Sequence, residues 1–109
     1  MLFITPEDFF QKTSQLPRID RQTELDCAKK MLTGDHQARE TIIRGYLPFV
    51  AAVLRRKSPD LHTLRLILSC CTALEKAVDN FDFLQDSEPF SHRLSWYLRQ
   101  TVTYYIASR

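Results

Sequence analysis

Glycine is almost missing from this 109-residue sequence, which contains it only at positions 34 and 45. Glycine-rich phosphate loops, collagen repeats and sheets with many tight turns are therefore not expected. Long hydrophobic runs are missing too: the longest stretch without a charged residue is 45–54, far short of the ~20 residues of a membrane span. Residues 1–4 are apolar but lack a basic start. We therefore expect no signal peptide, no membrane contact and a cytoplasmic location.

Cysteine is scarce and does not suggest a disulfide framework. Cys27, Cys70 and Cys71 cannot all pair with one another, and adjacent cysteines rarely form a disulfide, so reduced thiols that act as small apolar filler fit best. No CxxC spacing occurs and the three histidines are scattered, which predicts no metal site. No nucleophile elbow or cofactor loop occurs either. We therefore expect neither an enzyme nor a bound cofactor.

The composition is that of a folded domain. Hydrophobic residues make up 44% of the chain and charged residues 26%, a balance typical of globular and not of disordered proteins. The length is that of one domain. We therefore predict a single helical domain, in which residues 1–36 form leading helices and residues 37–109 form the main body.

Capping residues and apolar periodicity predict an all-α, compact bundle of five or six helices. Thr5 before Pro6 is typical of a helix start, Gly34 of a helix end, and Gly45 followed by Pro48 of a break between two helices. The helix near residues 59–80 is predicted to be the longest. The predicted helices cover residues 6–11 or 6–14, 21–33, 37–44, 48–57, 59–80, and 89 or 91 to the end.

Apolar residues at three- and four-residue steps indicate which faces are buried. In the second helix the predicted inward residues are Leu25, Ala28 and either Leu32 or Met31. The longest helix carries a stripe of seven apolar residues: Leu64, Ile67, Leu68, Cys71, Leu74, Val78 and Phe81.

Charge is distributed unevenly along the chain. Residues 37–68 carry six basic residues against two acids, residues 69–92 carry five acids against one lysine, and residues 93–109 carry three arginines and no acid. A basic end after an acidic stretch favours a surface for an anionic partner, of which nucleic acid is the commonest. The alternative is a solvated face with nothing bound.

The last predicted helix has an aromatic residue on its polar side. At 100° per residue, Leu94, Leu98 and Val102 share the core side, whereas Trp96 lies opposite them. Because a ring can stack on a base while guanidinium groups reach phosphates, this side is typical of a nucleic-acid contact. The alternatives are packing of Trp96 within the chain and a protein–protein contact. The outer side carries Arg93, Trp96, Arg99, Gln100, Thr103 and Tyr104.

Several short motifs occur in order between residues 16 and 109. They are Leu16-Pro17, Thr23-Glu24-Leu25, Ala28-Lys29, Gly34-Asp35-His36-Gln37-Ala38-Arg39-Glu40, Tyr46-Leu47-Pro48-Phe49-Val50, Ala77-Val78-Asp79-Asn80-Phe81-Asp82, Phe90-Ser91, Trp96-Tyr97, Arg99-Gln100 and Thr103. This set resembles the sigma-70 family of bacterial RNA polymerase sigma factors, specifically conserved region 2 and the helices before it. The resemblance implies a transcription-initiation module that binds minus-ten promoter DNA, the RNA polymerase core, or both.

The resemblance also implies roles on the last helix, which in that family recognises and melts the minus-ten element. Trp96 and Tyr97 take the positions of the melting aromatics, and Arg99 that of a backbone contact. Gln100 and Thr103 take the duplex-reading positions. Arg93 stands where the family has an aromatic that holds a flipped base. The implied DNA-binding set is Arg93, Trp96, Tyr97, Arg99, Gln100 and Thr103.

In the same family the long helix binds a coiled coil of the largest polymerase subunit. Arg65 stands where the family has an acid, and the family's partner surface is rich in arginine, so we expect weak or absent polymerase binding. The alternative function is a degenerate sigma-like domain that contacts a protein regulator without promoter recognition. No helix-turn-helix for an upstream element is expected. The implied polymerase-binding set is Arg65, Leu68, Ser69, Thr72 and Lys76.

Overall fold

The computed structural model describes residues 3–109, and within that range the protein contains α-helices, one short 3₁₀-helix and no strand. The all-α class predicted from the sequence is confirmed. In chain order the α-helices are α1 (Pro6–Ser14), α2 (Arg21–Met31), α3 (His36–Arg55), α4 (Leu64–Asp79) and α5 (Phe90–Ser108). The 3₁₀-helix, Pro59–Leu61, lies between α3 and α4.

The first four α-helices each begin at a side chain that accepts a hydrogen bond from a free backbone N–H. The caps are Thr5 for α1, Asp20 for α2, Asp35 for α3 and Thr63 for α4. Such caps satisfy donors that have no partner within the helix. Gly34 precedes the third cap with φ +84°, the left-handed conformation that glycine adopts without strain. The predicted left-handed conformation of Gly34 is confirmed, although α2 ends at Met31, two residues before the predicted end at residue 33.

The predicted break at Gly45 and Pro48 is wrong, because α3 continues through both residues. Gly45 lets the segment before α2 lie close against α3: a Cβ at this position would lie 2.5 Å from Cβ of Ile19. Pro48 removes one backbone hydrogen bond, a cost of ~3 kcal/mol or more in a helix interior. Burial of a long apolar face offsets that cost. The buried residues of α3 are Ala38, Ile42, Ile43, Leu47, Val50, Ala51 and Leu54.

The prediction that residues 59–80 form the longest helix is also wrong. The chain leaves helical geometry at His62 and Thr63, and α4 has 16 residues against 20 in α3. A ring nitrogen of His62 lies 2.7 Å from the backbone oxygen of Leu54, which ties the connection to the end of α3. Thr63 is extended and caps the new helix.

The later start of α4 is accompanied by a different buried face. Leu68 is half exposed and Cys71 partly exposed, whereas Leu66 and Cys70 are fully buried. The predicted inward positions of Ile67, Leu74 and Val78 are confirmed. The buried residues of α4 are Leu66, Ile67, Cys70, Ala73, Leu74, Ala77 and Val78.

The inward face of α2 also differs from the prediction. Ala28 is buried as predicted. Of the two alternatives, Met31 is partly buried against the core, whereas Leu32 follows the helix as its C-cap and is exposed. Leu25 is only partly buried.

Glu24 is buried instead, because Tyr46 donates a hydrogen bond of 2.5 Å to one carboxylate oxygen and Arg21 donates one of 2.8 Å to the other. Burial and the adjacent carboxylate raise the pKa of Tyr46. The Tyr46 hydrogen bond helps to hold α2 on α3, whereas the Arg21 bond lies within α2 and keeps the carboxylate of Glu24 paired.

An aromatic cluster positions the start of α5. The ring of Phe90 lies 4.7 Å from that of Tyr46, 5.2 Å from Phe81 and 5.0 Å from Phe83, measured between centroids. Phe81 and Phe83 begin the acidic segment after α4, so this segment is anchored by its aromatic residues while its acids remain exposed. The rest of α5 packs along α4.

A bidentate ion pair joins α3 to α4. Arg39 donates to the two carboxylate oxygens of Asp79 at 2.7 and 2.9 Å. These hydrogen bonds hold the pKa of Asp79 below its usual 3.8. A group whose pKa is lowered by folding stabilises the folded state above its unfolded pKa, and that contribution is lost as the pH falls through the folded-state pKa.

We expect Asp79→Asn to lower the free energy of unfolding by ~0.5–1 kcal/mol at pH 7, the upper range for a half-exposed pair. The loss should begin to shrink as the pH falls past 3.8, the usual pKa of an aspartate, and should approach zero only below the lowered folded-state pKa of Asp79, where the wild-type carboxyl group is protonated as well. Urea denaturation at pH 7 and at a pH well below 3.8 measures this difference. Glu88→Gln, in the exposed acidic segment, is the control. A loss that is the same at both pH values would contradict the assignment.

Candidate nucleic-acid interface

The outer face of α5 is arranged as the sequence predicts. Leu94, Leu98 and Val102 are buried, whereas Trp96 is 53% exposed and Tyr104 is 76% exposed. The predicted nucleic-acid set divides into two groups by burial. Arg93 and Tyr97 are partly buried, and the exposed members are Trp96, Arg99, Gln100 and Thr103.

Trp96 rests on a neighbour from its own helix. Its ring meets that of Tyr97 edge to face, with centroids 5.3 Å apart and planes at 84°. Aromatic pairs prefer this geometry, so Tyr97 supports the indole without covering it. Because more than half of Trp96 remains in contact with solvent, packing within the chain does not account for this residue.

Arg93 lies where the face of α5 meets the aromatic cluster. Its guanidinium carbon is 6.0 Å from the ring centroid of Phe81, the outer limit of a cation–π contact. The ring of Phe81 therefore helps to position the positive charge of Arg93 near the start of α5. Arg99 lies further along the same helix and is exposed. Since α5 contains no acidic residue, neither arginine has a carboxylate neighbour on its own helix, and the face can attract phosphates.

The residues that the resemblance assigns to polymerase binding lie together on the outer face of α4. Leu68 is 50% exposed. The hydroxyl groups of Ser69 and Thr72 donate to the backbone oxygens of Arg65 and Leu68 at 3.0 and 3.1 Å, so these two donors are already used within the helix. All five residues are exposed: Arg65, Leu68, Ser69, Thr72 and Lys76.

The outer faces of α4 and α5 meet along a groove of about 330 Å³. Arg65 and Ser69 line it from α4, and Gln100 and Tyr104 line it from α5. The two sets of residues predicted for different partners are therefore adjacent. Sequence reasoning missed this contact because the helical pattern of one segment carries no information about its distance from another.

The remaining chemistry-bearing groups within residues 3–109 do not form a site. No cluster of His, Cys, Asp or Glu suited to a metal ion occurs in this range, and no helix there is long and apolar enough to cross a membrane. The cysteines are free thiols. Burial raises the pKa of Cys70 to about 12 and that of Cys71 to about 11, so both are poor nucleophiles at neutral pH.

Comparison with known proteins agrees with the motifs. The chain is 28% identical over 102 residues to RNA polymerase sigma factor SigA of Clostridium acetobutylicum and 26% identical over 102 residues to RNA polymerase sigma factor SigA of a Bacillus species. No family model matches the chain. Each match covers 93% of this chain and 27% of the relative, so the chain spans about a quarter of their length. The matches support a sigma-70-like domain, as the sequence motifs predict.

Proposed function

We propose that this sigma-70-like domain serves transcription initiation by binding minus-ten-type promoter DNA through the outer face of α5. The observation that carries the proposal is the exposure of Trp96, 53%, on a helix with arginines and no acid. Both relatives are named RNA polymerase sigma factors, which supports a role in transcription.

Each group on this face has a distinct task in the proposal. Trp96, supported by Tyr97, stacks on an unpaired base. Arg99 contacts a phosphate and so contributes affinity without sequence preference. Gln100 and Thr103 lie about one and two helical turns beyond Trp96 and contact base edges of the adjoining duplex, where amide groups distinguish bases. Arg93 supplies a second cation near the start of the helix.

The polymerase core is the second proposed partner, bound weakly through the outer face of α4. Arg65 would face the arginine-rich surface that the resemblance implies, and like charges exclude a partner. The hydroxyls of Ser69 and Thr72 donate to backbone oxygens one turn back in α4. They therefore add little to the affinity for the polymerase. The half-exposed Leu68 favours a protein regulator on this face as the alternative function.

Tryptophan fluorescence tests DNA binding directly, because Trp96 is the one tryptophan in the sequence. We expect single-stranded minus-ten-type DNA to quench it. Arg99→Ala should weaken binding to all sequences alike and reduce the slope of log affinity against log salt by about 1. Gln100→Ala should leave that slope unchanged but reduce the preference for one duplex sequence over another.

The matched control is Arg56→Ala, which removes an exposed arginine at the C-cap of α3. It should alter neither the quenching by DNA nor the sequence preference. If DNA leaves the Trp96 fluorescence unchanged and all variants bind alike, promoter binding by this face is wrong and the regulator-binding alternative remains.

A further inference from the structure

The groove between α4 and α5 has one charged side chain on its α4 wall, Arg65. The facing wall from α5 contributes Gln100 and Tyr104, and Arg109, which follows α5, also lines the groove. None of the residues that line this groove is acidic. A cation without an acidic neighbour in a polar groove favours an anionic ligand.

Arg65 is the cation available to such a ligand. Arg109 already donates a hydrogen bond of 3.0 Å to Asp60, which neutralises part of its charge. Among the ion pairs formed by residues 3–109, none involves Arg65. Its guanidinium group can therefore donate two parallel hydrogen bonds to a phosphate.

The opposite wall adds a donor and a ring. The amide of Gln100 can donate to an anion, and the exposed ring of Tyr104 offers a face on which a base can stack. A hydrogen bond of 2.9 Å between the hydroxyl groups of Tyr105 and Thr63 joins α5 to the start of α4. This bond holds the two walls of the groove together.

We propose that this groove binds a backbone phosphate of a DNA strand that crosses the face of α5, with Arg65 as the phosphate contact and Tyr104 beside the adjoining base. The inference rests on the proposed function and extends it to α4. Nucleic acid is favoured over an acidic protein segment because Gln100 belongs both to the groove and to the face that carries Trp96, so one strand can follow both. Arg65 would then contact DNA instead of the polymerase.

The test compares Arg65→Gln with Arg56→Gln in binding a labelled single-stranded oligonucleotide at several salt concentrations. We expect Arg65→Gln to weaken binding about threefold to tenfold, equally for all sequences, and to reduce the salt slope by about 1. Arg56→Gln should have little effect on either. Amide NMR signals of Ser69 and Thr101 should shift when the oligonucleotide is added to the wild type and remain in place in Arg65→Gln. Equal affinities and slopes for the two variants would overturn the proposal.

Trp96 fluorescence separates this proposal from the proposed function. If DNA quenches the fluorescence of Trp96 but Arg65→Gln alters neither the affinity nor its salt dependence, the proposed role of the α5 face stands and phosphate binding in the groove is wrong. Groove shifts that depend on Arg65, without quenching of Trp96, would support the groove and contradict the role of the α5 face. Poly-glutamate is the probe for an acidic protein. If it displaces the oligonucleotide at an equal concentration of charge, the assignment to nucleic acid is wrong.

Discussion

Replacing Phe90 with alanine should lower the free energy of unfolding by ~3–5 kcal/mol, the usual cost of truncating a buried aromatic. Phe90 is 2% exposed and contacts three other aromatic rings, those of Tyr46, Phe81 and Phe83. The alanine variant would leave a cavity where α3, the acidic segment and α5 meet. Because domains of this size are stable by only ~5–15 kcal/mol, the loss is a large part of the total.

Urea denaturation followed by circular dichroism measures this loss. Phe90→Leu fills more of the space and should cost less, so it keeps the test informative if the alanine variant does not fold. Leu84→Ala, at a 40% exposed position nearby, should change stability little. A Phe90→Ala variant that loses less than ~1 kcal/mol would show that the aromatic cluster does not hold the start of α5.

The starts of α1, α2 and α3 are the part of this fold that the sequence predicts well. Thr5 and Asp35 act as caps through hydrogen bonds to the backbone two or three residues ahead, and Gly34 adopts a positive φ. These effects are local, so they can be deduced from neighbouring residues. Gly45 and Pro48 carry similar local signals and yet lie inside α3. There, packing against Ile19 and burial of the apolar face outweigh local preference.

The orientation of α4 shows why buried faces are harder to predict. Leu66 and Cys70 are buried where Leu68 and Cys71 were expected. One residue of offset turns a helix by about 100°, and both faces of this segment carry apolar residues, so periodicity alone does not select between them. Contacts with α3 and α5 determine which face of α4 is buried. On α5 one side is apolar and the other polar, as neighbouring Leu94 and Arg93 illustrate. The predicted buried side of α5 is confirmed.

Replacing Trp96 with alanine should weaken binding of single-stranded minus-ten-type DNA by ~1–3 kcal/mol, or roughly 5- to 150-fold, the usual value of one base–aromatic stack. Because the variant has no tryptophan, the measurement uses the anisotropy of a labelled oligonucleotide. Trp96→Phe is the matched control: it keeps an aromatic face on Tyr97 and should retain most of the affinity.

The same substitution should hardly alter thermal stability, since Trp96 is more than half exposed and its ring contact is with the next residue. This separates a lost DNA contact from a damaged fold. If Trp96→Ala unfolds at a much lower temperature, its ring belongs to the packing of the chain. If it remains stable and binds DNA as tightly as the wild type, Trp96 does not stack on a base, and its exposure is better explained by a protein partner on this face.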